Sequence, residues 1–217
     1  MPNNVDALQT ENSLQSTPVW VATSPALDAL RARLASEALV AVDTESDSLF
    51  SYFEKVCLLQ ISTRETDYVV DPLALAQAET GDVSRGIATL GPFFADSGIE
   101  KIFHAAEYDI LCLKRDYHFE FKTIFDTMIA ARVLGWKNVG LGNILQERFN
   151  VTLNKKMQRA DWGHRPLTAE EIAYAREDTH YLIALYSLQL RELERLERLE
   201  EAREEFERLT RVESAPR

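Results

Sequence analysis

Asp43 and Glu45 stand two residues apart at the end of the apolar run Ala38–Val42. Such a run predicts a buried strand, and residues i and i+2 of a strand leave the same face. Two carboxylates on one face repel each other unless a cation lies between them. Taken alone, the pair is better explained as solvated acids at the end of a strand. Tyr174 and Asp178 stand four apart in Glu-Ile-Ala-Tyr-Ala-Arg-Glu-Asp-Thr-His-Tyr-Leu. On a helix they share one face, one turn apart. Leu182 and Tyr186 continue that face as core, and an acid on a core-facing stripe is out of place on packing grounds. Asp109 lies five residues beyond His104, near the start of a helix that follows a strand. Helix-start electrostatics accounts for Glu107, whereas Ile110, Leu111 and Leu113 predict a partly buried setting for Asp109. Asp126, before Thr-Met-Ile-Ala-Ala, is explained as a helix N-cap and stays outside the candidate site.

The elements that must position these groups are readable from periodicity. Val19–Val21, Ala38–Val42, Lys55–Ser62, Asp67–Val70, Lys101–His104 and Thr123–Phe125 read as strands, with a hairpin turn at Thr63–Thr66. Ser24 and Pro25 read as a cap and first-turn proline, with Leu27, Leu30 and Leu34 on one helical face. Asp71-Pro72 stops the Asp67–Val70 strand. A helix is expected within Val83–Ala95, interrupted at Gly91-Pro92. Further helices are expected over Ala105–Asp116, Thr127–Leu134 and Leu141–Phe149, and from Ala169 unbroken to about Arg211. Strands, then strands alternating with helices, then helices alone imply an α/β layer with helices on both faces.

The 217 residues suffice for one good-sized core, and 46% hydrophobic with 27% charged residues is an ordinary globular composition. No apolar run reaches the roughly 18 residues of a membrane span. Met1–Thr17 is polar, lacks the pattern of a secretory signal and is expected to be a disordered tail. Cys57 and Cys112 stand far apart in apolar contexts and read as small buried hydrophobes, which favours a cytoplasmic location. The net charge of −11 argues against broad attraction to nucleic acid. Lys155, Lys156, Arg159 and Arg165 against Asp161 give a local +3, however, directly before the Tyr174–Asp178 helix. These four cations are candidate phosphate contacts. Trp162 reads as a packing anchor, and His104 and His180 as structural, since neither has a partner at zinc spacing. From Arg191 to Glu213 the chain carries six Arg and nine Glu around a stripe of Leu193, Leu196, Leu199, Phe206 and Leu209. Glu194–Arg198 and Glu204–Arg208 are expected i,i+4 pairs, on a helix packed against its own domain.

Val-Ala-Val-Asp-Thr-Glu-Ser-Asp-Ser-Leu, Lys-Ile-Phe-His-Ala-Ala-Glu-Tyr-Asp and Tyr-Ala-Arg-Glu-Asp-Thr-His-Tyr-Leu resemble, in order, the three exonuclease motifs of the DEDD superfamily. Tyr four before Asp is similar to the tyrosine subclass; the histidine subclass wants His at position 173, which is Ala173. Residues 153–167 further resemble ribonuclease D and its exosome-associated relatives, and the likeness extends over about Trp20–Tyr186. It implies an RNase H-like α/β fold, with a mixed five-stranded core sheet flanked by helices and a long C-terminal helix. It divides the chain into a tail (1–17), an exonuclease domain (18–190) and a charged helix and tail (191–217), without the helical RNA-binding domains of ribonuclease D. It implies two Mg²⁺ or Mn²⁺ ions, hard cations suited to carboxylates, about 3.5–4 Å apart. By the same resemblance Asp43 bridges both ions, Glu45 and Asp178 hold the one that activates water, Asp109 serves the other, and Tyr174 orients the water. Leu49, with Phe50 and Tyr52 after it, is a candidate wedge against the terminal base. The implied partner is nucleic acid with a free 3′ end, single-stranded RNA ahead of DNA, and the implied product is nucleoside 5′-monophosphate. Two rivals remain at this point. A catalytically silent binding module on the same fold would not need all five side chains. A phosphohydrolase with Asp43 as nucleophile would not need Tyr174 and Asp178 on one helix face.

Overall fold

The apolar runs become the strands of one mixed sheet. In the computed structural model, which describes residues 17–78, 86–154 and 156–213, these are β1 (Val19–Val21), β2 (Leu39–Ser46), β3 (Val56–Ser62), β4 (Asp67–Val70), β5 (Glu100–Phe103) and β6 (Ile124–Asp126), in the order β1-β4-β3-β2-β5-β6. β2, β3 and β4 form an antiparallel meander, β1 joins β4 in parallel, and β5 and β6 extend in parallel from β2. The five strands of the expected core sheet are β2 to β6, and β1 adds an edge by pairing with β4 from Val19 to Val21.

The helices are α1 (Ser24–Leu34), α2 (Pro72–Ala78), α3 (Gly91–Ala95, after a 3₁₀ turn at Ile87–Leu90), α4 (Glu107–Tyr117), α5 (Thr127–Val133), α6 (Leu141–Phe149), α7 (Ala169–His180), α8 (Leu182–Arg195) and α9 (Leu199–Thr210). Alternation along β2 sorts them into layers. Val40 and Val42 pack with Leu27 and Leu34 of α1, Leu75 of α2, Phe94 of α3 and Ile110 of α4. Ala41 points the other way, into a cluster with Ala130 of α5, Ile144 of α6, Leu185 of α8 and Phe206 of α9. A third cluster of Leu58, Val69, Trp162, Tyr174 and Ala175 seats α7 on β3 and β4. This is the expected α/β class, with helices on both faces.

Local details differ from the periodic reading. The cap of α1 is Thr23, whose hydroxyl accepts from the Ala26 N–H at 3.4 Å. Asp71-Pro72 not only ends β4 but starts a helix, with Asp71 accepting from the N–H groups of Leu73 and Ala74 at 3.0 Å. In the Val83–Ala95 stretch, residues 83–85 lie outside the described residues, and Gly91-Pro92 opens α3 rather than interrupting a helix. The long C-terminal helix is broken at Tyr181 and again after Arg195. At the second break Glu197 adopts φ 55°. The Arg198 N–H bonds the Leu193 carbonyl at 2.9 Å and the Glu197 N–H bonds that of Glu194 at 3.0 Å, which is the Schellman pattern. The break separates Glu194 from Arg198, which pairs with Glu201; Arg208 pairs with Glu205 rather than Glu204. α9 then lies along β6. It sends Phe206 into the core on one side of the sheet and Leu209 into the core on the other. Residues 1–16 of the expected tail lie outside the described residues. Both cysteines are free and buried. Among the described residues no helix is long and apolar enough to cross a membrane.

Candidate active site

Asp43 and Glu45 leave β2 on the side covered by α7, just before the ladder to β3 shifts between Glu45 and Ser46. α7 brings Asp178 to them: Asp43, Glu45 and Asp178 each offer a carboxylate oxygen, all within 4.8 Å of one another. The register of α7 is set locally and from below. Its start is a reciprocal box, the Thr168 N–H donating to Glu171 at 2.7 Å and the Glu171 N–H to the Thr168 hydroxyl at 3.2 Å. Beneath it Ser62 and Thr179 share a 2.7 Å hydroxyl bond. Buried Asp67 takes Arg176 at 3.2 Å and His180 at 2.8 Å. Asp109 stands apart from the trio. It is buried in the first turn of α4 and accepts a 2.5 Å bond from the hydroxyl of Thr44, which points to the opposite side of β2.

The acids disfavour one another's charge. Burial, then Asp109, Asp178 and Glu45, raise the Asp43 pKa well above the usual carboxylate range. Burial, then Asp178 and Asp109, raise Glu45 to about 9. Burial raises Asp109 to about 7 against the lowering bond from Thr44, and burial followed by Glu177 raises Asp178 to about 7. Clustered carboxylates shifted upward in this way fit a site for a positive charge, and all-oxygen donors fit a hard divalent ion. Burial, then Asp178, Glu45 and Asp43, push Tyr174 above its ordinary value, so its hydroxyl stays protonated. Its ring stacks on buried Trp162 with centroids 5.9 Å apart.

A cleft of about 220 Å³ opens beside Tyr174 and Asp178. Its other walls are the start of α6 at Gly140–Asn143 and the segment holding Leu153, Asn154 and Gln158. Sequence reading misses these residues, because nothing local marks Gly-Leu-Gly-Asn as facing an acid in α7. It also misses Gln60, the polar position in an apolar strand. Gln60 pairs directly with Asp43 across the β2–β3 ladder, is fully buried, and has no partner for either carboxamide atom. Residues directly opposite in a ladder share a face, so this unsatisfied amide lies beside the acids. Asp126 caps α5 as expected, and it does more. Its carboxylate also accepts the N–H groups of Ala105 at 3.2 Å and Ala106 at 2.8 Å. Ala105 has φ 63°, so Asp126 holds the left-handed turn that delivers Asp109.

The candidate substrate contacts divide. Lys156 and Arg159 are exposed, as is Leu49 in the loop after β2. Lys155 lies outside the described residues. Arg165 is not available to phosphates: its guanidinium holds Asp71 through two bonds of 2.7 and 2.8 Å and donates to the carbonyls of Cys57, Trp162 and His164. Buried Asp71 is the reason, because it requires a positive partner. Burial lowers His104 to about 4; it shares a 2.8 Å bond with Thr127 and is structural, as is His180 on Asp67.

Known proteins share this fold. A family model described as 3′-5′ exonuclease matches residues 18–194. The exosome complex exonuclease RRP6 of Saccharomyces cerevisiae is 40% identical over 176 residues, 81% of this chain and 23% of that protein. The catalytic core of RRP6 from Trypanosoma brucei superposes with TM-score 0.84 at 34% identity, covering 92% of this chain and 53% of that one. Escherichia coli RNase D, described as an exoribonuclease involved in structured RNA processing, gives TM-score 0.79 at 27% identity, covering 90% of this chain and 50% of that one. This chain thus spans about a fifth of the length of the curated relatives it matches. With the family model matching most of the chain, from β1 to the end of α8, the protein belongs to the 3′-5′ exonuclease family.

Proposed function

We propose that this protein removes nucleotides one at a time from the 3′ end of single-stranded RNA, hydrolysing each phosphodiester to release a nucleoside 5′-monophosphate. The observation that carries this reading is the convergence of carboxylate oxygens of Asp43 and Glu45 from β2 and Asp178 from α7 within 4.8 Å of one another, beside the α7 face that also holds Tyr174. Asp43, Glu45 and Asp178 would hold a Mg²⁺ or Mn²⁺ ion, and Asp109 would serve a second. Such ions acidify a bound water and stabilise charge on the attacking and leaving oxygens of an in-line displacement. Tyr174 keeps its proton and orients the attacking water through the hydroxyl, a positioning role rather than that of a base. The cleft beside Tyr174 and Asp178 receives the terminal nucleotide, Leu49 wedges its base, and Lys156 and Arg159 hold phosphates. RNA is favoured over DNA because RNase D and RRP6 are described as RNA-degrading and exosome enzymes. All five side chains of the DEDD pattern are present, which favours a working enzyme over a silent module.

The test is to incubate the protein with Mn²⁺ and 5′-labelled single-stranded RNA, DNA and duplexes. A ladder shortening from the 3′ end, with monophosphate products and protection by a 3′-phosphate, is expected. Cutting of a circular RNA, or no degradation of any substrate, overturns the proposal.

A further inference from the structure

Seven large apolar side chains are exposed among the described residues, and four of them, Leu49, Phe50, Tyr52 and Phe53, fall within five consecutive positions. Tyr52 is 94% exposed and Phe53 64%, and their rings meet edge to face with centroids 4.9 Å apart. A fifth, Tyr108, touches the base of the same loop.

The loop is held firmly. Asp47 closes it, taking the Lys55 backbone N–H at 2.8 Å and the Lys55 ammonium at 2.9 Å on its carboxylate. The Asp47 carbonyl accepts the N–H groups of Phe50 and Ser51 at 2.8 and 2.9 Å. Tyr108 donates to Glu54 at 2.6 Å and lies 3.1 Å from the Ser46 hydroxyl, and Arg115 pairs with Glu54 at 2.6 Å. A loop fastened at its base while its rings face solvent marks an interaction surface.

Two chain neighbours tie this surface to the acids. Ser46 follows Glu45, and Tyr108 precedes Asp109. The loop is fastened to α4, whereas the cleft beside Tyr174 and Asp178 opens against α7. A longer strand whose terminal nucleotide fills the cleft would pass the acids to reach the rings. We propose that Phe50, Tyr52 and Phe53, backed by Tyr108, form a stacking platform for bases of single-stranded RNA upstream of the nucleotide being removed. The proposal rests on the exonuclease reading and adds to it how longer substrates are held. Every base has a π-face, so the platform grips without regard to sequence. The surrounding charges are Asp47, Glu54, Glu107 and Asp116, with Lys55 and Arg115 both paired to acids among them, so stacking rather than phosphate attraction supplies the grip. A stable protein interface needs about 800 Å² per partner, more than the tip of one loop supplies.

The test is steady-state kinetics of the full chain with Mn²⁺ on RNA oligomers of two to about eight nucleotides. The KM is expected to fall as length grows. The double variant Tyr52→Ala/Phe53→Ala should raise KM for the longest oligomer by about tenfold, in line with lost base stacking, and the dinucleotide KM by less than about twofold. Both rings are exposed, so an unchanged melting temperature certifies the variant's fold. The same KM-against-length profile in both proteins overturns the platform. Anisotropy of a labelled eight-nucleotide RNA, measured in Asp43→Asn with and without the ring substitutions, separates the two readings. Binding weakened by the ring substitutions supports the platform even if no substrate is trimmed; trimming with ring-independent binding sinks the platform and leaves the exonuclease standing. A dimer seen by sedimentation that the ring variant dissolves, with RNA affinity unchanged, assigns the rings to a second copy and also overturns it.

Discussion

Thr44 donates a 2.5 Å hydrogen bond to Asp109, so the residue between two clustered acids secures the acid that stands apart from them. The bond favours the charged form of Asp109, against the burial that pushes it up to about 7. Thr44→Val keeps the shape and the strand preference while removing the donor. A hydrogen bond to a charged group is worth about 1.5–3 kcal/mol. The Mn²⁺ concentration giving half-maximal rate should therefore rise roughly tenfold or more, with much of the rate recovered at saturating metal. An unmoved midpoint in a metal titration of single-turnover rates removes Asp109 from the metal-binding set.

Gln60 lies opposite Asp43 with an unsatisfied carboxamide. Gln60→Leu replaces a buried unpaired polar group with an apolar one of similar size. Stability should rise by about 1–3 kcal/mol, while the rate falls at least roughly tenfold through loss of a donor beside the acids. Urea unfolding and single-turnover rates measure the two effects. Greater stability with an unchanged rate makes Gln60 a packing residue only.

Asp178 and Tyr174 should separate in kinetics. Asp178→Asn removes a charged ligand, and activity should fall to background. Tyr174→Phe removes only a hydroxyl; its rate should fall by roughly 10²–10⁴-fold, while metal-induced stabilisation persists and substrate affinity changes little. Full activity in Tyr174→Phe at saturating Mn²⁺ would leave Tyr174 as the stacking partner of Trp162 and nothing more.

The acid cluster gives stability a pH dependence that metal should reverse. With Glu45 at about 9 and Asp109 and Asp178 at about 7, the folded chain binds more protons than the unfolded chain above about pH 4. Stability from these groups is full at low pH and is lost as pH rises toward about 9. Asp47 and Glu171, both held below their ordinary values, act beneath that window. In EDTA the melting temperature should fall from mildly acidic to mildly alkaline pH. Millimolar Mn²⁺ should restore it at the alkaline end and do little at the acidic end, since ligands bind metal deprotonated. Coincident melting curves with and without metal at alkaline pH exclude the metal site.

Arg165 and its basic neighbours should fail in different assays. Arg165→Ala leaves Asp71 buried without its positive partner and should cost about 3 kcal/mol, read as a lower urea midpoint. Lys156→Glu with Arg159→Glu should leave that midpoint in place, weaken RNA binding and flatten its logarithmic salt slope by about 1.4. A salt slope unchanged in the double variant returns the segment to plain solvated charge.

What the sequence discloses is what depends on local geometry. Asp43 with Glu45, and Tyr174 with Asp178, need only the period of a strand and of a helix to be placed on one face. Arg165 is different: a cation bound for phosphate and one bound for Asp71 read alike, and Asp71 lies 94 residues away. The role of Gln60 depends on the β2–β3 register, which a periodic pattern does not specify. The break at Glu197 is equally hidden, since the stretch around it is helical by propensity throughout. The docking of Phe206 and Leu209 into two cores overrides that preference.

The turn at Glu197 has a consequence for how this molecule behaves among copies of itself. Among the described residues β6 is the last strand on its side, and one row of its backbone N–H and C=O groups has no ladder partner. α9 is laid along that side, with Phe206 against Phe125 at 4.7 Å and its end tied down by the Lys114 ammonium at the carbonyls of Thr210 and Val212. A helix whose sequence looks like surplus surface charge thereby covers the β6 edge, where bare backbone groups would otherwise offer a template to another chain.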